Sequence, residues 1–327
     1  MAWFKTLAVT ALAATATGLP TLRKFSPRHV KSLASRQEGG AAPDSGLTDP
    51  DIFDFALTLE HLQAEFYKQG FAKFPDSDFQ ALGLSDQQLK DLKVMGKAEE
   101  DHEVLIQMTL AGAGIQPVQS CEYDFGFTDA KSMVDMALVF ESIGVSAYLG
   151  AAPLVSDKAL LSAAASITTV ESRQQSVLRA FTGIEAVPQS FDAPLSPRSI
   201  FSMAAPFIKS CPEGSNLQID PFPALEMKGG QDPMNMAVGS NVLVSMPAGA
   251  ALGTSNAQAA GPTKCAFTSG GVRPAGSVFT DFSESTGCQV PPDVAGFTYL
   301  FLTSSEPAGG AVTDDIVMAG PMPLKVS

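Results

Sequence analysis

Four glutamates of this chain fall where a core residue is expected, because each lies on the apolar face of a stretch with helical spacing. They are Glu60, Glu99, Glu141 and Glu171. An unpaired ionised carboxylate in a core costs several kcal/mol. Four of them at one level of a helical bundle would also raise one another's pKa by repulsion, and divalent cations would offset both effects. A single such residue is adequately explained as a hydrogen-bonded buried acid, but the four together predict a metal site.

Two of these glutamates are followed, three residues later, by a second side chain that can bind a metal on the same helix face. Glu99 and His102 form a Glu-x-x-His motif, and Glu171 and Gln174 form a Glu-x-x-Gln motif. Carboxylate oxygens with imidazole suit iron or manganese, and suit zinc less well. Because an amide oxygen is a poorer donor than imidazole, Gln174 should weaken one of two metal positions. One ion, two ions with one labile, and an empty site are therefore all open alternatives.

Two tyrosines share helix faces with the proposed ligands. Tyr67 and Tyr148 each lie seven residues, or two turns, after a candidate glutamate, Glu60 and Glu141 respectively. A hydrogen-bonding or radical role beside the metal is one interpretation of this spacing. Ordinary packing in the bundle is the other interpretation, and aromatic residues at helical spacing favour it.

The candidate ligands lie in four helix-length windows in which apolar residues recur every three or four positions. The predicted helices are about 51–69, 85–111, 129–150 and 156–181. The connection 112–128 is long, whereas Pro153 marks a short turn. This arrangement predicts a four-helix bundle with one long crossover.

After Pro188 the helical spacing disappears, apart from a short helix expected over Pro197–Ile208. Short runs then alternate apolar with polar residues between clusters of Gly, Pro and Ser, beginning at Asn241, Ser277, Phe297 and Asp315. This pattern predicts a small β-sandwich, so the fold class is mainly α plus β. The expected domains are the bundle at 48–183, a linker at 184–197 and the β-sandwich at 198–327.

Five stretches resemble fungal secreted ferritin-like proteins of the stress-response and late sexual-development type and, more remotely, plant desiccation-related proteins. They read FALTLEHLQAEFYKQGFAKF, EEDHEVLI, FESIGVSAYLGAA, ITTVESRQQSVLRAF and FDAPLSPRSIFSMAAPFIKSCPEGS. A Glu from each of two helices plus Glu-x-x-His from each of two others is the ligand pattern of ferritin-like di-iron and di-manganese proteins. The resemblance covers about Thr48 to Cys211, and it implies metal ligands at Glu60, Glu99, His102, Glu141 and Glu171. This chain departs from the family at Gln174, where relatives have histidine.

The resemblance leaves two functions open, because the family has a stress-linked description and no firmly assigned reaction. One is a di-metal carboxylate oxidoreductase that acts on oxygen or peroxide. The other is a non-catalytic extracellular or cell-wall protein with a vestigial or structural metal site, whose β-sandwich binds a partner or glycan.

Other histidines and motifs offer little support for hydrolase chemistry. His29 lies in the amino-terminal leader, and His61 is placed on the polar face of the first helix. No Gly-x-Ser-x-Gly motif is present, so a Ser–His–Asp hydrolase is disfavoured.

The charge of the chain indicates which classes of partner it can bind. The formal net charge is −13, although the first 37 residues contain basic side chains and no Asp or Glu. The chain after residue 37 therefore has a larger negative charge than the whole chain. This charge disfavours binding to nucleic acid or anionic lipid and favours binding of metal cations.

The amino terminus is typical of an export signal. Lys5 precedes the apolar run 7–14 and a small-residue stretch suited to cleavage after Ala16, which predicts a signal peptide at 1–16 and a basic leader at 17–47. A mitochondrial presequence is the alternative, because Arg23–Arg36 is basic and contains serines. The apolar run is too short to span a bilayer, and no later stretch qualifies, so no membrane span is expected.

The four cysteines, Cys121, Cys211, Cys265 and Cys288, have no CxxC spacing and fit two disulfides in an exported protein. Three pairings are open. Cys265 and Cys288 are the economical pair because they share one turn-rich region, which leaves Cys121 with Cys211.

Overall fold

A computed structural model of the chain describes residues 47–215, 217, 219–247, 261–270 and 276–326. The predicted signal peptide and the leader as far as residue 46 lie outside these residues.

Six α-helices are present in the described chain: α1 (Asp49–Lys73), α2 (Asp76–Ala81), α3 (Asp86–Gly112), α4 (Ala130–Ala151), α5 (Lys158–Phe181) and α6 (Pro197–Ala204). The four long helices match the four predicted windows to within a few residues, and α6 begins at the predicted proline. The short α2 was not predicted. Helices α1 and α3 pack along each other, as do α4 and α5, so the predicted four-helix bundle is confirmed.

Capping residues explain where the long helices begin. The Thr48 side chain accepts a hydrogen bond from the Asp51 N–H, and the Asp51 carboxylate accepts one from the Thr48 N–H at 2.7 Å. Ser85 with Gln88, and Asp129 with Ser132, form equivalent pairs at α3 and α4. Each cap satisfies N–H groups that the helix leaves open, and is worth about 1 kcal/mol.

Helix α4 lies in the middle of the structure. Within the described residues, Ala130–Leu154 is the one segment long and apolar enough to cross a membrane, and most of it is buried inside the fold. Burial all round is typical of a central bundle helix. The segment is therefore only weak evidence for a membrane span.

The long crossover between α3 and α4 is tied to the chain beyond the bundle. It contains strand β1 (Glu122–Tyr123), which pairs antiparallel with β2 (Ile208–Ser210). The disulfide Cys121–Cys211 joins the same two segments, and a second disulfide joins Cys265 to Cys288. These are the pairings that the sequence favoured.

The carboxy-terminal half is rich in short strands, as predicted. They are β3 (Glu226–Met227), β4 (Asn241–Val242), β5 (Val244–Ser245), β6 (Lys264–Thr268), β7 (Ser277–Ser283), β8 (Gly287–Gln289), β9 (Gly296–Thr303) and β10 (Val317–Val326). Six of them form one antiparallel sheet in the order β10-β9-β6-β7-β8-β4, while β3 pairs with β5. The run that begins at Asn241 thus contributes to two sheets rather than one. The predicted mixture of α and β is confirmed, with one main sheet in the β region.

Strand β9 in the main sheet is buried on both faces, although the alternating pattern of the sequence is typical of a strand with one polar face. Every residue of β9 is buried. Phe297, Tyr299 and Phe301 belong to the same hydrophobic core as the bundle, while Leu300 and Leu302 belong to a second core. The bundle therefore covers the face that a sandwich would cover with a second sheet, and Gly46–Ser327 form one compact unit.

Candidate metal centre

The structure places all six predicted ligand residues inside the bundle. Glu60 lies on α1, Glu99 and His102 on α3, Glu141 on α4, and Glu171 and Gln174 on α5. None of the six is more than 8% exposed, and Glu99, Glu141 and Glu171 are fully buried. The four helices therefore bring these side chains to one level of the interior, as their spacing predicts.

Four of these residues converge on one point. Glu60, Glu99, His102 and Glu171 each offer one ligand atom, and these atoms all lie within 4.8 Å of one another. His102 Nδ1 is 3.4 Å from Glu60 Oε2, 3.6 Å from Glu99 Oε2 and 3.5 Å from Glu171 Oε1. Three carboxylates thus surround one imidazole nitrogen at distances slightly longer than ordinary hydrogen bonds.

The donor set fits a transition-metal cation. Glu60 Oε2, His102 Nδ1 and Glu171 Oε1 are buried and have no hydrogen-bond partner among the described residues. Burying such an atom without a partner costs about 1–3 kcal/mol. A divalent cation would bind the free lone pairs of all three atoms, and carboxylate oxygens with one imidazole suit iron or manganese.

Burial makes the carboxylates of the cluster hard to ionise without a cation. It raises the pKa of Glu60 to about 7, and it raises the pKa values of Glu141 and Glu171 well above their usual range, with repulsion from Glu99 adding to the effect. Burial lowers the pKa of His102, but the facing carboxylates outweigh it and raise that pKa to about 12. The cluster therefore favours positive charge at its centre.

Glu141 lies beside the four-residue cluster rather than within it. Its Oε1 accepts a hydrogen bond from the Tyr67 hydroxyl at 2.5 Å, and its Oε2 is buried without a hydrogen-bond partner in the described chain. The Tyr148 hydroxyl in turn donates to Glu60 Oε1. Each tyrosine packs in the bundle and also donates a hydrogen bond to a carboxylate. The interpretation that the sequence favoured, packing alone, was therefore incomplete.

Gln174 acts as a hydrogen-bond donor in this structure. Its Nε2 donates to Glu99 Oε1 at 2.8 Å, while its Oε1 is unpartnered among the described residues. Gln63, which the sequence analysis missed, is also buried, and its Nε2 donates to Glu99 Oε2 at 3.1 Å and to Glu171 Oε2 at 3.4 Å. The signal that could have found it is its position three residues after Glu60, which repeats the Glu-x-x-Gln spacing of α5.

The placement of His61 on a polar helix face was wrong. His61 is 2% exposed, with Nε2 3.1 Å from the Val118 carbonyl oxygen and Nδ1 3.3 Å from Glu103 Oε1. The crossover between α3 and α4 covers this face of α1, and single-helix periodicity does not reveal that contact. His61 belongs to a separate contact with the crossover and is not part of the carboxylate cluster.

A small apolar cavity adjoins the cluster. Its lining includes Phe53, Ala56, Leu59, Ile106, Tyr148 and Ile167. Tyr148, which lines this cavity, also donates a hydrogen bond to Glu60, so one side chain contacts both the cavity and the carboxylates. An apolar lining of this kind suits a small uncharged molecule.

Comparison with known proteins defines the class of this region. Residues 48–183 match the family model of the ferritin-like domain. This part of the chain, which contains the whole carboxylate cluster, is therefore similar to the ferritin-like domain, in agreement with the resemblance seen in the sequence.

A particular relative extends this comparison. The chain is similar to protein rds1 of Schizosaccharomyces pombe, with 27% identity over 180 residues. The aligned part covers 55% of this chain and 44% of the relative, so it spans less than half the relative's length. Both matches agree with the ferritin-like resemblance of the helical region.

Proposed function

We propose that this chain is an exported ferritin-like protein whose bundle binds iron or manganese and uses it in redox chemistry with oxygen or peroxide. The observation that supports this most is the convergence of Glu60, Glu99, His102 and Glu171 within 4.8 Å, with unpartnered buried atoms directed at one point. A hydrogen-bonded structural acid explains one such atom, but it does not explain several that face one another.

Each residue of the centre has a distinct role in this proposal. Glu60, Glu99, His102 and Glu171 would hold the cation, and bound iron or manganese would supply one-electron chemistry with oxygen or peroxide. Tyr148 fixes the orientation of the Glu60 carboxylate and lines the apolar cavity, through which a small uncharged molecule could approach. Burial keeps bulk water from the carboxylates.

Export is supported by the two disulfides. Disulfides persist in oxidising compartments and are rare in the cytosol, and the described cysteines are all paired. They agree with the predicted signal peptide, with a mitochondrial presequence as the alternative. Localisation of the tagged full-length chain, with disulfide status measured by thiol labelling, tests this part.

Metal content is the first measurement. The protein is purified without added metal, and iron and manganese are measured by mass spectrometry per mole of chain. We expect stoichiometric metal in the wild type and a roughly tenfold or greater loss in Glu171→Gln, which weakens one ligand at nearly constant size. Glu65→Gln is the matched control, because Glu65 lies on α1 outside the cluster and pairs with Lys68. Absence of metal in the wild type, persisting after anaerobic addition of Fe(II) and Mn(II), would contradict the proposal.

A structural metal site in a non-catalytic protein is the second candidate. The complete burial of Glu99 and Glu171 favours it, and so does Gln174, which stands where the family resemblance implies histidine. On this alternative the strand-rich region would bind the cell-wall or glycan partner. Peroxide consumption and isotope exchange of the bound metal distinguish the two, since a structural ion exchanges slowly and supports no turnover.

A further inference from the structure

Two glutamine amides donate hydrogen bonds into the proposed metal centre. Gln63 on α1 and Gln174 on α5 are 3% and 6% exposed. Together they donate to both oxygens of Glu99, from Gln63 to Oε2 at 3.1 Å and from Gln174 to Oε1 at 2.8 Å. Both oxygens of this carboxylate therefore already accept N–H groups.

The Gln63 amide nitrogen lies between two carboxylates. It is 3.1 Å from Glu99 Oε2 and 3.4 Å from Glu171 Oε2. In two-metal centres the ions are about 3.5–4 Å apart, close enough for one carboxylate to contact both. A second ion that shared Glu99 and Glu171 with the first would meet the Gln63 N–H donor, which repels a cation.

The two oxygens of Glu171 serve different partners. Oε1 faces His102 Nδ1 at 3.5 Å and has no hydrogen bond within the described residues, whereas Oε2 faces Gln63. A Cβ at Gly144 would lie 2.2 Å from Glu171 Oε2, so this carboxylate lies directly against α4. It has little freedom to turn both oxygens toward a second ion.

Few other donors are available to a second ion. Glu141 Oε1 accepts the Tyr67 hydroxyl at 2.5 Å, which leaves only Oε2 of this carboxylate without a hydrogen bond among the described residues. Gln174 offers only a neutral amide oxygen, which is a poorer donor than imidazole. The described side chains around the cluster provide a single imidazole, His102.

We propose that Gln63 and Gln174 restrict this centre to one metal ion, so that the chain is a mononuclear variant of the ferritin-like bundle. Gln63 blocks the bridging position between Glu99 and Glu171, and Gln174 withholds the imidazole that a second ion would need. This inference rests on the proposed function, because it concerns the number of ions in the same centre.

Anaerobic titration with Mn²⁺ tests this directly. The full-length secreted protein is titrated, unbound ion is removed, and manganese per chain is measured together with the paramagnetic resonance spectrum. We expect a single Mn²⁺ with the spectrum of an isolated ion in the wild type. The double variant Gln63→Ala/Gln174→His should take up a second Mn²⁺ and show the spectrum of a spin-coupled pair.

The matched control is Gln175→His, which introduces the same imidazole one position away. Gln175 donates to Ser142 Oγ at 3.0 Å rather than to the carboxylates. This variant should still bind a single ion. If the double variant does not fold, Gln63→Glu/Gln174→His replaces the blocking N–H donor with an acceptor of the same size and supplies the imidazole, and it should also bind a second ion.

The possible results distinguish a failure of this inference from a failure of the proposed metal-binding function. Two Mn²⁺ in the wild type would overturn the restriction and leave the proposed metal site intact. No Mn²⁺ in the wild type would remove the proposed function itself. A single Mn²⁺ in the wild type and still a single one in folded Gln63→Ala/Gln174→His or Gln63→Glu/Gln174→His would show that the glutamines do not set the number of ions.

Discussion

The helical bundle buries four glutamates and two histidines, whereas the buried polar residues described in the strand-rich half carry only hydroxyl groups. Hydroxyl pairs such as Thr268 and Ser277, 2.7 Å apart, satisfy each other. The carboxylates of the bundle do not, since Glu60 Oε2, Glu141 Oε2 and Glu171 Oε1 lack hydrogen-bond partners in the described chain. The comparison favours the bundle as the place of the chemistry, because the buried unpartnered carboxylate oxygens of the described residues lie there, whereas the strand-rich half has only an unpartnered hydroxyl at Thr298.

The strand-rich half supports the bundle through α4. Tyr299 on β9 is fully within the interior, and its hydroxyl lies 2.8 Å from Ser146 Oγ and donates to the Ser142 carbonyl oxygen at 2.9 Å. Both serines lie on α4, close in sequence to Glu141. One half thus contains the candidate metal ligands, and the other contacts the helix that carries one of the buried carboxylates.

Removal of the disulfides should cause the largest change in the free energy of unfolding, and the change should differ between the two halves. Cys121–Cys211 closes 90 residues and joins the bundle's crossover to β2, whereas Cys265–Cys288 closes 23 residues within the sheet. Loop entropy predicts losses in the free energy of unfolding of about 4–5 kcal/mol and about 3 kcal/mol for the respective Cys→Ser pairs. Urea denaturation of both double variants measures this. A larger loss for the pair within the sheet would contradict the entropic ranking.

Metal addition should stabilise the chain through the bundle alone. A ligand at a hundred times its Kd adds about 2.7 kcal/mol to the free energy of unfolding. We expect Mn²⁺ to raise the melting temperature of the wild type and to leave that of Glu60→Gln unchanged. Thr298→Val is the matched control in the sheet, because Thr298 is buried and its hydroxyl has no partner among the described residues. It should retain the full shift, and a shift that persists in Glu60→Gln would place the bound ion elsewhere.

Local spacing was sufficient to predict the bundle. Glu99 and His102, or Glu171 and Gln174, share a face because a helix turns once in about 3.6 residues, and a charge on an apolar face is conspicuous. Gln63 lies on α1 three residues after Glu60. It was missed because a neutral amide on an apolar face gives a much weaker signal than a carboxylate. Its importance depends on Glu99 and Glu171, which lie far away in the sequence.

Long-range contacts account for the features that could not be predicted. His61 is buried by the crossover near Val118, and nothing in the periodicity of α1 indicates that covering. The sheet of the carboxy-terminal half uses Phe297, Tyr299 and Phe301 to pack on helices, although their alternation with other residues equally fits a sandwich. Strand order, sheet partners and the covering of a polar helix face depend on such contacts, while the apolar face of a helix follows from local spacing.

The smallest expected effect comes from two buried tyrosine hydroxyls, one on each side of the comparison. Tyr148→Phe removes the hydrogen bond to Glu60 without changing the packing volume appreciably. Removing a partner that orients a metal ligand typically weakens metal affinity by about 10–100-fold. Because Glu60 is one of four ligands, we expect the low end, about tenfold, measured by Mn²⁺ titration.

Tyr299→Phe is the counterpart in the sheet. It removes the hydroxyl that contacts Ser146 and Ser142, so the free energy of unfolding should fall by about 1–2 kcal/mol while the Kd for Mn²⁺ stays within twofold or so. Tyr148→Phe should show the opposite pattern, with the larger change in Kd. Equal changes in Kd for both variants would mean that the sheet tunes the centre through α4, and that the two halves act as one functional unit rather than as ligand set and support.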